Sequence, residues 1–202
     1  SVTGAFSLAA GPVLFAVGAL FTHEVWPDDL PNYAAVNEFH DQNVVSTHLV
    51  TASIPFLLLA VVAIASVGRG SPRLAGAGLT CSVFGLVAML GNGVVYSTIN
   101  AMAGVEDEAS LDAVTKNINA DFPIVLWTFP LFFVGASLLA AALWRSLAVP
   151  RWSAVLVGSG GLIPVAIVGG LPVVGLVIAA LQIAGSIPVA KVLLSPQVER
   201  SR

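Results

Sequence analysis

Charge is what this sequence has least of. Of its 202 residues 9% are Asp, Glu, Lys or Arg, 57% are hydrophobic, and the mean hydropathy is +0.93. A soluble domain carries about 25% charged residues, so the chain cannot cover a water-facing surface. A disordered chain needs low hydrophobicity, and that class falls as well. Eight basic residues against eleven acidic ones leave no basic patch for nucleic acid. Cysteine is nearly absent too. Cys81 is alone, which excludes an internal disulfide, a CxxC redox pair and a thiolate zinc cluster. What remains is a polytopic membrane protein, all-α, forming a single helical-bundle domain over residues 1–202.

Long apolar runs are present in number. A helix needs about 20 apolar residues to cross the roughly 30 Å hydrocarbon core. Six stretches qualify: Gly4–Thr22, Val44–Val67, Leu74–Met102, Phe122–Leu147, Trp152–Gly169 and Val173–Leu194. Backbone groups in lipid must be satisfied internally, and runs of this length fit helices rather than barrel strands. No basic stretch precedes the first run and it has no clear cleavage site, so that run is expected to be a span rather than a signal peptide.

The few charges are sorted by position. Arg69, Arg73, Arg145, Arg151, Lys191, Arg200 and Arg202 fall between runs two and three, between four and five, or at the C-terminal end. Only Lys116 is on the other side. Ten acids occupy the two remaining connections: Glu24, Asp28, Asp29, Glu38 and Asp41 in His23–Asn43, and Glu106, Asp107, Glu108, Asp112 and Asp121 in Ala103–Asp121. The positive-inside rule predicts six spans in the cell membrane, both termini cytoplasmic, and two long acidic outer loops. Part of each outer loop is expected to form a short interfacial helix; over Asp107–Asn119, Leu111, Val114 and Ile118 share one helical face.

Proline falls inside most spans, at Pro12, Pro55, Pro130, Pro164 and Pro188. Membrane helices tolerate proline, so these residues read either as neutral or as kinks that open a cavity. Polar side chains inside spans are costly. The clearest set is Asn92, Tyr96 and Asn100, at i, i+4 and i+8 on one face of the third span. It reads either as a hydrogen-bonding stripe that glues helices together or as the wall of a polar pocket on the outer side.

Other groups fall at the same depth. His48 lies with Thr47 and Thr51 near the start of the second span, His23 and Glu24 close the first, and Asp121 opens the fourth. A second span starting near Val36 would put Asn37, Asp41, Val44 and His48 on one face. A carboxylic acid half buried in an apolar pocket keeps its proton near neutral pH and can act as a general acid. Glu24, Asp41 and Asp121 are the candidates, with His48 beside them. Trp127, Phe129 and Phe133 could shape an apolar pocket with cation-stabilising faces, or could face lipid.

Several chemistries find no motif. There is no HExxH and no i, i+4 histidine pair, so no metal site is expected. There is no G-x-S-x-G elbow, no DDxxD-type cluster and no phosphate-binding glycine loop, and no cofactor is implied.

Gly11-Pro12-Val13-Leu14-Phe15 and Pro150-Arg151-Trp152 resemble the corresponding segments of small six-span bacterial membrane proteins of uncharacterised families. In architecture the chain also resembles the small integral-membrane terpene cyclases. That resemblance implies span-end acids that protonate an isoprenoid and a lyase or isomerase type of reaction. The expectation is a membrane-embedded enzyme for a hydrophobic isoprenoid or lipid substrate, with a small transporter or accessory protein as the alternative.

Overall fold

Apolar runs bounded by proline and charge become helices with little ambiguity about where they begin. Proline is tolerated at a helix's first position, where its missing N–H has no partner to lose. Pro72, Pro123 and Pro172 each open a helix here. The computed structural model describes residues 1–21, 38–103, 109–110, 113, 123–168 and 171–195, giving the backbone alone for 96, 103, 123–129, 167 and 168. The helices are α1 (Val2–Leu20), α2 (His40–Val67), α3 (Pro72–Ala103), α4 (Pro123–Ser146), α5 (Arg151–Ser159), α6 (Ile163–Val168) and α7 (Pro172–Leu194). No strand occurs among the described residues. Among the described residues four helices, α1, α2, α3 and α7, are long and apolar enough to cross a membrane, and these apolar helices are compatible with membrane insertion.

Two boundaries differ from the sequence expectation. Helix α2 begins at His40, a turn before the apolar run, so Asp41 and Asn43 belong to the helix rather than to the preceding loop. The fifth run is not one continuous α-helix. After Ser159 the chain tightens into a 3₁₀ turn at Gly160–Leu162 and resumes as α6. Consecutive glycines weaken the helical preference there, and Pro164 cannot donate a hydrogen bond back to Gly160. The Gly160 carbonyl takes the Ile163 N–H in the tighter pattern instead. The loop segment Asp107–Asn119 lies almost wholly outside the described residues.

The segments close into a ring. Each packs on its neighbour in sequence, with α5 and α6 acting as one segment, and α7 returns to pack on α1. Small residues set the closest approaches. A Cβ at Gly85 would stand 2.5 Å from the Phe132 backbone nitrogen, so α3 and α4 touch backbone to backbone, as small residues permit in membranes. Ser153 donates to the Gly185 carbonyl at 2.5 Å, joining α5 to α7. Leu86, Leu139, Leu143 and Val189 are buried between the helices.

One end of this ring gathers the described bases. The start of α1 meets the ends of α2 and α7, where Gly4 approaches Ala63 and Leu193. The α2–α3 turn meets the end of α4, where Gly70 approaches Ser146. Arg69, Arg73, Arg145, Arg151 and Lys191 are exposed around that end. Arg151 also lies over the Trp144 ring at 5.2 Å. The opposite end carries Glu38, His40 and Asp41 at the start of α2.

Candidate functional site: a polar seam between two helices

At the acidic end, α2 and α3 face each other through polar side chains. On α3, Gly93 and Asn100 stand two turns apart on the side that meets α2, and Asn92 adjoins Gly93; on α2, Asn43, Thr47 and Thr51 repeat at four-residue spacing. The helices run antiparallel, so the two stripes meet in opposite order. Asn100 is 5% exposed, and its Nδ2 donates to Thr47 Oγ1 at 3.2 Å. The Thr47 hydroxyl donates in turn to the Asn43 carbonyl at 2.8 Å. Deeper along the seam, Gly93 faces Thr51. A Cβ at Gly93 would fall 2.6 Å from Thr51 Oγ1, so glycine makes room for the hydroxyl.

The seam holds more polar capacity than it uses internally. Asn43 Nδ2, Thr51 Oγ1 and Asn92 Oδ1 are buried and have no hydrogen-bond partner. An unpaired polar group away from water costs on the order of 1–3 kcal/mol. Asn43 and Thr51 lie two turns apart on α2, and Asn92 adjoins Gly93 on α3, so unused polar capacity is spread along the acidic half of these two helices. Asn43 is 6% exposed and Ser46 is buried beside it. His40 Nδ1 is likewise buried without a partner at the mouth of this region.

The remaining sequence-predicted residues fall as follows. Asp41 and His48 lie on α2 and are exposed, on a different face of the helix from Asn43 and Thr47. Tyr96, Trp127 and Phe129 lie on α3 and α4, and their side chains are outside what the structure describes. Phe133 is exposed on α4, and its ring borders the Gly160–Leu162 turn through Gly161. Glu24 and Asp121 lie outside the described residues. Among the described residues, no three of His, Cys, Asp and Glu gather closely enough to hold a metal ion. Cys81 is half-buried and free.

Sequence reasoning singled out the Asn92–Asn100 face but not its counterpart. The signal was available, because Asn43, Thr47 and Thr51 repeat at i, i+4 and i+8. Treating Asn43 as loop hid it. No protein-family model, curated protein or solved structure matches the chain.

Proposed function

We propose that the chain is a membrane-embedded enzyme that draws a hydrophobic, isoprenoid- or lipid-like substrate from the bilayer and acts on it at the acidic end of a six-span bundle. Both termini are cytoplasmic in this reading, and the acidic end faces outward. The separation of bases from acids supports that orientation. The observation that supports the reading is the unused polar capacity in the acidic half of α2 and α3, where buried Asn43 Nδ2, Thr51 Oγ1 and Asn92 Oδ1 are all unpartnered. An amphiphile fits such a place: its polar head satisfies the free amides and the hydroxyl, and its tail lies along apolar helix surface. A carboxylic acid at the same end, Glu24, Asp41 or Asp121, supplies the proton that starts a cyclisation or isomerisation. His48 and the Asn92–Tyr96–Asn100 face orient the substrate, and Trp127, Phe129 and Phe133 shape the apolar part. No cofactor is required.

A small transporter or accessory subunit is the second reading, and the broken fifth segment favours it, since interrupted helices line transport sites. Against it, Ser82 Oγ is the one buried serine hydroxyl beyond the seam that lacks a partner among the described residues. Ser53 and Ser186 bond to their own helices, and Leu86, Met89 and Phe132 fill the space between the ends.

The test uses the full chain in nanodiscs, incubated with geranylgeranyl diphosphate, squalene and a mixed phospholipid extract. Bound lipid and product are read by mass spectrometry. The enzyme reading expects a retained amphiphile that is lost in Thr51→Val/Asn92→Leu. It also expects turnover that vanishes in at least one of Glu24→Gln, Asp41→Asn and Asp121→Asn. Full turnover in all three acid variants overturns the acid mechanism. Movement of substrate across a sealed vesicle without conversion establishes the transporter instead.

A further inference from the structure

The helices meet a second time around a polar group, one to two turns beyond Asn92 and Thr51 toward the middle of the bundle. Near the middle of their lengths, α1, α2, α3, α4, the α5–α6 segment and α7 surround one small cavity, each contributing to its wall: Pro12, Leu57, Met89, Phe132, Pro164 and Gln182. All but one of these are apolar. Gln182 is 8% exposed, and its Oε1 has no hydrogen-bond partner. A carboxamide in such a place is expensive unless it is satisfied.

The surrounding backbone is built to admit that side chain. A Cβ at Gly160 would overlap the Gln182 carboxamide, so only glycine leaves room there. At the same residue the fifth segment breaks into its 3₁₀ turn. Irregular backbone at this depth is tolerated where it is buried in protein or borders a cavity. A proline in the wall adds an acceptor. Pro164 has no N–H, so the carbonyl of Gly160, which itself lines the cavity, loses its ordinary helical partner. The Gly160 carbonyl takes the Ile163 N–H and keeps a second lone pair free.

The cavity measures about 10 Å³, room for about one water molecule and no more. A buried water needs two to four polar partners. Gln182 supplies an acceptor and two donors, and the Gly160 carbonyl supplies a further acceptor.

We infer that the centre of the bundle is a binding site for a single water, held by the Gln182 carboxamide and the Gly160 carbonyl released at Pro164. The water donates to Gln182 Oε1 and to the Gly160 carbonyl and accepts from Nε2. The symmetry of the carboxamide lets either orientation serve. The site ties the broken fifth segment to α7 through one molecule. It exists whether or not the acidic end turns over a lipid.

Pulsed radiolytic hydroxyl-radical labelling in ¹⁸O water, on the full chain in nanodiscs, tests it. Radicals formed from a bound water label the side chains beside it, and Met89 and Phe132 are both buried from bulk solvent, at 3% and 6% exposure. The expected result is fast ¹⁸O labelling of Met89 or Phe132 in the wild type. That labelling falls to background in Gln182→Met, which keeps an unbranched side chain of similar length, while exposed Trp152 is labelled equally in both. Absence of label at both residues in the wild type overturns the site even if the variant fails to assemble. Equal labelling in a well-assembled Gln182→Met overturns it as well.

Discussion

Asn100 on α3 donates a hydrogen bond to Thr47 on α2 at 3.2 Å, and the Thr47 hydroxyl donates one to the Asn43 carbonyl one turn back at 2.8 Å. The Asn100–Thr47 bond joins the two helices side chain to side chain, so it pins their register where the polar seam opens. Interhelical bonds of this kind contribute about 0.5–1.5 kcal/mol each. A double-mutant cycle with Thr47→Val and Asn100→Leu, read by unfolding in mixed micelles, should give a coupling energy of about that size. Additive single effects would show that the bond does not hold the register.

How much of this was legible beforehand depended on which physical signal each feature left. Helix starts at Pro72 and Pro172 and the gathering of bases around one end are written in residue type and position. The break at Gly160–Leu162 is not visible to hydropathy, because the run stays apolar while the hydrogen-bond pattern changes. Its local signal was Gly158-Ser159-Gly160-Gly161 followed by Pro164, a cluster that weakens α-helical bonding. The side of α2 that turns inward was harder. Its apolar residues occur all round the helix, so no single stripe marks the buried face. Only the packing of α3 separates buried Asn43 from exposed Asp41 and His48. For Glu24, Asp121 and the side chains of Tyr96, Trp127 and Phe129, the sequence remains the guide to the site.

The connection from α4 to α5 carries a conformational cost. Leu147 has φ of 53°, the left-handed region where a Cβ crowds the following carbonyl. It follows the last residue of α4, the position at which glycine most often ends a helix. The side chain is exposed, so little packing is lost on its removal. Leu147→Gly should therefore stabilise the protein, by about 1 kcal/mol, seen as a raised Tm in nanodiscs. A lowered Tm would mean that the leucine side chain contributes more than the strain it imposes.

Between α5 and α7, Ser153 is buried and donates to the Gly185 carbonyl across the interface. That carbonyl already accepts within its own helix in the regular pattern, so the hydroxyl satisfies itself by sharing it. Ser153→Ala removes donor and need together and should cost no more than about 1 kcal/mol. Ser153→Val must also fit extra methyl groups where α7 passes closely, since a Cβ at Gly185 would sit 3.0 Å from the Val157 nitrogen. Its cost should be larger, about 1–3 kcal/mol. Equal unfolding midpoints for the two variants would show that the interface has slack.

Glycines on α3 separate contact from propensity within one helix. A Cβ at Gly85 would lie 2.5 Å from the Phe132 nitrogen and 2.6 Å from its Cβ, whereas at Gly76 and Gly91 nothing lies within 4 Å. Gly85→Ala must push α4 away from α3, and since neither obstructing atom is the tip of a flexible side chain, the backbones themselves have to move. The expected loss is about 1–3 kcal/mol. Gly76→Ala and Gly91→Ala meet open space and lower the helix's conformational freedom when unfolded, so each should be neutral or stabilising by up to about 1 kcal/mol. Unfolding titrations of the three variants side by side provide the check. If Gly91→Ala destabilises as much as Gly85→Ala, then the exposed face of α3 is covered in the membrane by something that tolerates no Cβ there, and the helix has a partner outside this bundle.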